Sequence, residues 1–343
     1  MTTRNRSLLV LALSLSAACH DARTPVVVYS PHGRDLLQLF ESTYEQAHPE
    51  VDVRWLDMGS QEVVDRLRSE RANPQADVWF GAPATLFARA AADGLLAPYR
   101  PSWAGAIPAT SRGDGDLYFG VFRTLPVLVF NSAAVSAAEA PADWDALLDP
   151  QWKGRLLIRD PMASGVLRTV FGMVLARSLA ETGSTDRGFA WLARLDAQTK
   201  EYVANPALLH EKLLRQEGAV TIWELTDTLL ERRRGAPFGY RFASSGTPVI
   251  DDAIALVAGA PHAEAARGFV EWVGGLEAQR LAAEQVFRIP ARTDLPPEAL
   301  PVWAREALAE MRPAEVDGKL VAREIQGWMA TWDRTVRGHG GER

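Results

Sequence analysis

The sequence predicts an α/β protein of two lobes that face each other across a ligand cleft, with two crossings of the chain between them. Three observations predict it. Strand-like runs alternate with amphipathic helical runs three times near the start, a second such set follows after residue 126, and strands return near residue 250 to rejoin the first set. The chain has 343 residues, 47% hydrophobic and 23% charged, enough for two sizeable cores. The expected division is 25–125 for the first part of lobe 1, 126–247 for lobe 2, and 248–343 for the second part of lobe 1 with C-terminal helices.

The opening MTTRNRSLLVLALSLSAACHDA has Arg4 and Arg6, then an apolar run from Leu8 to Leu15, then small residues. That order is a secretory signal, expected over residues 1–19, and the run is too short to span a membrane. Cys19 is the single cysteine of the sequence, so it has no partner for an internal disulfide. Its place after Ala17-Ala18 resembles a lipoprotein cleavage site, which would make the lipid the only membrane attachment. Plain signal-peptidase cleavage is the alternative. Either route places the protein outside the cytoplasm, in the periplasm or at the cell surface.

The first strand, VVVYS, runs into Pro31-His32-Gly33 and a helix over 34–47, with Leu36, Leu37, Phe40 and Tyr44 on one face. VDVRWL follows, then Gly59 and Ser60, with Ser60 as N-cap for 61–69. ADVWFG follows, then a helix from about Pro83 to Asp93, stopped by Gly94. LYFGVF and VLVFN break the alternation. After them come RLLIRD, a helix opening at Ser164, helices near 189–195 and 206–216, and the strand AVTIWE. FGYRF and TPVIDDAIALV then return as strands before an amphipathic helix over 263–273.

On this topology the strand-to-helix loops line the cleft. Four of them are small or hydroxylated: Ser30-Pro31-His32-Gly33, Gly59-Ser60, Gly81-Ala82-Pro83 and Met162-Ala163-Ser164-Gly165. Taken singly, each Ser or Gly is a helix cap; taken together they make a polar floor whose free N–H groups suit an anion. Arg168, one turn past Ser164, is placed to reach that anion. Trp223 is either core or a stacking platform, and Glu224 and Asp227 offer acceptors to hydroxyl or ammonium groups. Asp251-Asp252 reads as one buried partner and one surface charge, because strand neighbours point to opposite faces.

A net charge of −6 and a pI near 5.6 argue against nucleic-acid binding. No second His or Cys lies at metal spacing from His32, His48, His210, His262 or His339, so no protein-built metal centre and no cofactor is expected. The G-x-S-x-G, Walker A, C-x-x-C and G-x-G-x-x-G patterns are all absent, which speaks against an enzyme.

VVVYSPHG, ADVWFGAP, DWDALLDPQWKGRLLIRDPMASG, SSGTPVIDDAIALVAGAPHAEAARGFVEWV and FRIPAR together resemble the iron(III)-type (family 1) extracellular solute-binding proteins of bacterial ABC importers. The resemblance spreads from about Val26 to Arg292. It implies a type II periplasmic-binding-protein fold that closes on its ligand by hinge motion, as a monomer, and docks on the transmembrane subunits of a permease. Iron-binding relatives hold ferric ion with a His, a Glu and two adjacent Tyr. Here His32 matches the His, the Glu position falls on Ala82 and the Tyr pair at about Thr226-Asp227. The Ser164-Gly165 helix start resembles the place where those relatives bind a phosphate anion. The resemblance therefore implies a small phosphorylated or phosphonate solute held by Ser164, Gly165, Val166, Ser30 and His32. Alternatives are chelated ferric ion, a thiamine or polyamine ligand, a sensor subunit, or an exported phosphoester hydrolase.

Overall fold

Hydrogen bonding between strands divides the chain into two sheets, one for each lobe. In the computed structural model, which describes residues 23–338, the first stretch runs β1 (Thr24–Ser30), α1 (Arg34–Ala47), β2 (Val51–Asp57), α2 (Ser60–Ser69), β3 (Val78–Pro83), α3 (Ala84–Ala92), β4 (Leu96–Ala97) and β5 (Phe119–Thr124). The second runs β6 (Pro126–Asn131), β7 (Leu156–Arg159), α4 (Gly165–Thr182), α5 (Asp186–Gln198), β8 (Thr199–Val203), α6 (Pro206–Leu214), β9 (Val220–Glu224), α7 (Leu225–Arg233) and β10 (Phe238–Arg241). The last runs β11 (Ile250–Val257), α8 (Ala263–Val273), α9 (Leu276–Val286), β12 (Ile289–Pro290), α10 (Val302–Glu310) and α11 (Gly318–Thr335). Cys19 and the expected signal segment lie outside the described residues.

Lobe 1 carries a seven-stranded sheet in the order β12-β5-β11-β3-β1-β2, with β4 on β11; lobe 2 carries a five-stranded sheet in the order β10-β6-β9-β7-β8. In lobe 1, β2, β1 and β3 run parallel, and in lobe 2, β8, β7 and β9 do. Such strands need helices on both faces. In β1 the alternation divides accordingly: Val26 and Val28 enter one core with Leu36, Phe40 and Phe269, while Tyr29 enters the other with Val63, Leu67 and Trp79.

The sheets are joined at Leu125, the single residue between β5 and β6, and again through 242–249 between β10 and β11. The C-terminal stretch departs from the expected division. After β12 the chain returns to lobe 2, where Val321, Ile325, Trp328, Met329 and Trp332 of α11 enter the core containing Leu167, Phe171 and Leu192. The physical reason is α4, which is apolar around most of its circumference and has ten buried residues. A helix of that kind needs cover on more than its sheet side. Helix α11 supplies it, Trp332 lying edge-on to Phe171 and Tyr202 at 5.5 and 5.1 Å between ring centres.

Ser60 is a second departure. It is the first residue of α2, with Gly59 at the cap position and no side-chain cap bond. Its side chain is buried against lobe 2, 3.2 Å from the position a Cβ on Gly165 would take. Among the described residues no helix is long and apolar enough to cross a membrane.

If α11 is part of the lobe 2 core, Trp332→Ala should lower the free energy of unfolding by about 3–5 kcal/mol. Urea unfolding followed by fluorescence checks this; a change below about 0.5 kcal/mol would instead mark α11 as a loosely attached tail.

Candidate functional site

The carboxyl ends of β1, β2 and β3 in one sheet and of β7, β8 and β9 in the other open onto one cavity of about 700 Å³ between the lobes. Its lining follows from that geometry. It includes Pro31 to Arg34 at the start of α1, Asp57 to Ser60 at α2, Ala82 and Pro83 at α3, Ala163 to Val166 at α4, Ala204 to Ala207 at α6, and Trp223, Glu224 and Asp227 at α7. Six helices thus present their N-terminal ends to the same space. Each such end carries unpaired N–H groups and a partial positive charge.

Local chemistry decides which N–H groups stay free. Ser164 Oγ accepts the Leu167 N–H at 3.2 Å, which leaves those of Gly165 and Val166 in the first turn of α4. Asn205 Oδ1 accepts the Leu208 N–H at 2.8 Å and Pro206 has none to offer, which leaves Ala207. Neither Gly33 nor Gly59 supplies a capping side chain, so the first turns of α1 and α2 are open as well. Gly81 and Ala82 both have positive φ, 94° and 89°. At Gly81 this leaves room for the His32 ring, which a Cβ there would meet at 2.6 Å. Ala82 holds the same conformation with a side chain present, a strained backbone at the cavity wall.

The charged groups lie toward the junction of the lobes. Arg288 is buried, donates from Nη2 to the His32 carbonyl at 3.1 Å, and has Nη1 4.0 Å from Glu224 Oε1. Burial and then the adjacent Asp227 carboxylate hold the Glu224 carboxyl well above the usual carboxylate range, with Arg288 pulling the other way. Burial raises Asp252 to about 6, against the Thr124 hydroxyl it accepts at 2.5 Å and against Arg288. Asp57, at the exposed rim, is raised by partial desolvation and by Asp227. Burial and Arg288 keep His32 well below the ordinary histidine range, so its ring is neutral. That ring packs edge-on to Phe80 at 4.7 Å, and its Nε2 is buried with no hydrogen-bond partner. Trp223 forms a largely buried wall and donates from Nε1 to Asp227 Oδ2 at 2.9 Å.

Of the residues singled out in the sequence, His32, Gly33, Gly59, Ser60, Ala82, Ser164, Gly165, Val166, Trp223, Glu224 and Asp227 line the cavity. Three do not. Ser30 is fully buried, its Oγ accepting the His32 N–H at 3.2 Å, so its hydroxyl shapes the turn. Gly81 sits behind the His32 ring. Arg168 does not serve the Ser164 cap, although it lies on the same face one turn on: its guanidinium is held by Gln61 and Gln326. Asp57, Arg159, Asn205 and Asp252 line the cavity, and Arg288 is buried beside it; none was assigned there from the sequence. Asn205-Pro206 had a readable signal, a cap followed by proline at the first helical position. Arg288 had none, since it reaches the site from a segment remote in the chain. Among the described residues no group of three or more His, Cys, Asp and Glu side chains is arranged to hold a metal ion.

A family model described as bacterial extracellular solute-binding protein matches residues 42–310. The chain belongs to that family. Its curated relatives include a Salmonella typhimurium periplasmic protein named for 2-aminoethylphosphonate binding, 29% identical over 341 residues, which cover 96% of this chain and 93% of that one. Another is a Sinorhizobium fredii protein named as an ABC transporter periplasmic-binding protein, 27% identical over 335 residues, covering 95% and 90%. Among solved structures, the periplasmic binding protein AfuA from Actinobacillus pleuropneumoniae, with fructose-6-phosphate bound, superposes with a TM-score of 0.80 at 22% identity, covering 92% of this chain and 99% of that one. The fold is thus that of the two-lobed periplasmic binding proteins, of the type II form read from the sequence.

A buried carboxyl whose folded pKa is raised binds its proton more tightly in the folded than in the unfolded chain. Its contribution is fully present below the unfolded value and is lost as pH rises through the folded value. For Asp252 the window runs from about 4 to about 6. The unfolding free energy of the ligand-free protein, relative to Asp252→Asn, should therefore fall by roughly 2–3 kcal/mol across that window. Urea midpoints at pH 4, 5, 6 and 7 measure it, and parallel curves would contradict it.

Proposed function

We propose that the protein is the extracytoplasmic solute-binding receptor of an ABC importer. In this reading it captures a small phosphonate or phosphate monoester that also carries a cationic group, and delivers it to the membrane permease. The observation that carries the reading is that one cavity gathers two chemistries. Free N–H groups of α1, α2, α4 and α6 line it, suited to an oxyanion with several acceptor oxygens. Glu224, Asp227 and Asp57 line it as well, suited to an ammonium group. A cation bound there would favour the ionised carboxylates, so uptake of the solute is coupled to proton release. The Salmonella relative named for 2-aminoethylphosphonate supports the same class of solute.

The alternatives are less well served by these residues. A hydrolase needs an activated nucleophile. Here Ser164 Oγ is engaged with the Leu167 N–H and, among the described residues, His32 Nε2 has no hydrogen-bond partner, so it makes no pair with a serine there. Ferric ion prefers anionic oxygen donors gathered at short range. The position aligned with the expected Glu is Ala82, and the pair aligned with the two Tyr is Thr226-Asp227, of which Thr226 donates its hydroxyl to the Phe287 carbonyl.

Thermal unfolding against 2-aminoethylphosphonate, sugar phosphates, ferric citrate and spermidine tests the reading. A ligand at 100 times its dissociation constant stabilises by about 2.7 kcal/mol, which raises the midpoint by several degrees. The expected result is a shift with the aminophosphonate and none with ferric citrate; a shift with spermidine alone would leave the carboxylate half of the reading and remove the anion half. In Gly165→Ala the new methyl group lies 2.6 Å from Pro83 Cδ across the interlobe contact. That variant should bind at least about tenfold more weakly while unfolding near the wild-type midpoint in the absence of ligand.

A further inference from the structure

A second set of interlobe contacts lies outside the cavity and involves no residue of its lining. Arg168 of α4 is 5% exposed. Its Nη1 donates to Gln61 Oε1 on α2 at 2.6 Å and its Nη2 to Gln326 Oε1 on α11 at 3.3 Å. Arg89 of α3 donates to the same Gln326 oxygen at 2.5 Å. The Gln61 amide is fixed in orientation, because its Nε2 donates to Asp65 Oδ1 at 3.1 Å, which leaves the oxygen for Arg168. Helices α2 and α3 belong to lobe 1, whereas α4 and α11 share the lobe 2 core. Two contacts therefore cross between lobes: Gln61 with Arg168, and Arg89 with Gln326.

We propose that these four side chains form a clasp that sets the balance between separated and closed lobes independently of any solute. Both crossing contacts break when α2 and α3 move away from α4 and α11. The chemistry of the clasp makes it an adjustable balance and not a lock. Among the described residues Arg168 makes no ion pair and its Nε has no partner; its hydrogen-bond partners are two neutral amides, and the second guanidinium of Arg89 opposes its charge while the more remote Asp65 favours it. Opening loses charge-assisted hydrogen bonds but returns the guanidinium to water, so the two effects oppose each other at similar size. A further guanidinium contact between the lobes, Arg234 with Asp35, is solvent-exposed and screened, and contributes little to that balance.

Two substitutions at one position push the balance in opposite directions. Gln61→Ala leaves the buried guanidinium without its strongest acceptor, and is expected to raise the ratio of open to closed molecules roughly tenfold. Gln61→Glu places a carboxylate against Arg168 and is expected to lower it. Small-angle X-ray scattering of the ligand-free protein reads both, as a larger and a smaller radius of gyration relative to wild type, and the opposed signs register change whichever state wild type favours. Gln326→Ala, at an exposed position, should act in the direction of Gln61→Ala and serves if either Gln61 variant fails to fold. Scattering profiles from folded variants that all superpose on wild type would overturn the proposal. Because no solute enters the measurement, this result is separate from the identity of the ligand.

Discussion

The buried guanidinium of Arg288 is the interaction on which the arrangement of the cleft depends. It bonds the His32 carbonyl in lobe 1, stands 4.0 Å from Glu224 at the end of a lobe 2 strand, and offsets part of the charge of Asp252. A cation in a dry position is tolerated when carboxylates surround it, and carboxylates there are tolerated because of the cation. The pair of lobes is thereby tied at the back of the cavity through electrostatics as well as through the chain. Burial, and then Arg288, keep His32 neutral, which removes it as a charged anchor for a solute.

On the proposed reading, an acidic protein presents an anion site. The net charge of −6 describes the whole surface, while binding responds to the first few ångströms. Helix N-termini supply positive potential beside the guanidinium groups of Arg34 and Arg159 in the lining. Carboxylates can then share the same cavity without a direct clash of fixed opposite charges. A zwitterionic solute would satisfy both halves at once, and solutes carrying only one of the two charges would leave buried groups of the other half unmatched.

Much of this was legible in the sequence because strand-to-helix units have strong local signatures. The 3.6-residue spacing of Leu36, Phe40 and Tyr44 and the alternation in VVVYS required no tertiary knowledge. The loops at the carboxyl ends followed from topology, which is why His32, Ser164 and Glu224 were found. What stayed hidden depended on long-range contacts. Arg288 lies 256 residues from His32 along the chain, and nothing local distinguishes it from the neighbouring Arg292, which pairs with Asp294. Arg168 was misplaced because its spacing from Ser164 does not reveal the two remote glutamine amides that engage its guanidinium. The lobe that helix α11 covers was not legible, because an amphipathic face announces that it is covered, not by what.

The single-residue passage at Leu125 has a mechanical meaning. Leu125 is buried, its carbonyl accepts the Leu225 N–H at 2.9 Å, and Pro126 follows it. Proline fixes one torsion of its own and confines the residue before it to extended conformations. The connection therefore has few soft torsions and behaves as a stiff pivot. If the lobes close on a solute as proposed, this connection would confine their motion to a narrow path, so the closed outline would vary little with the small molecule that brought them together.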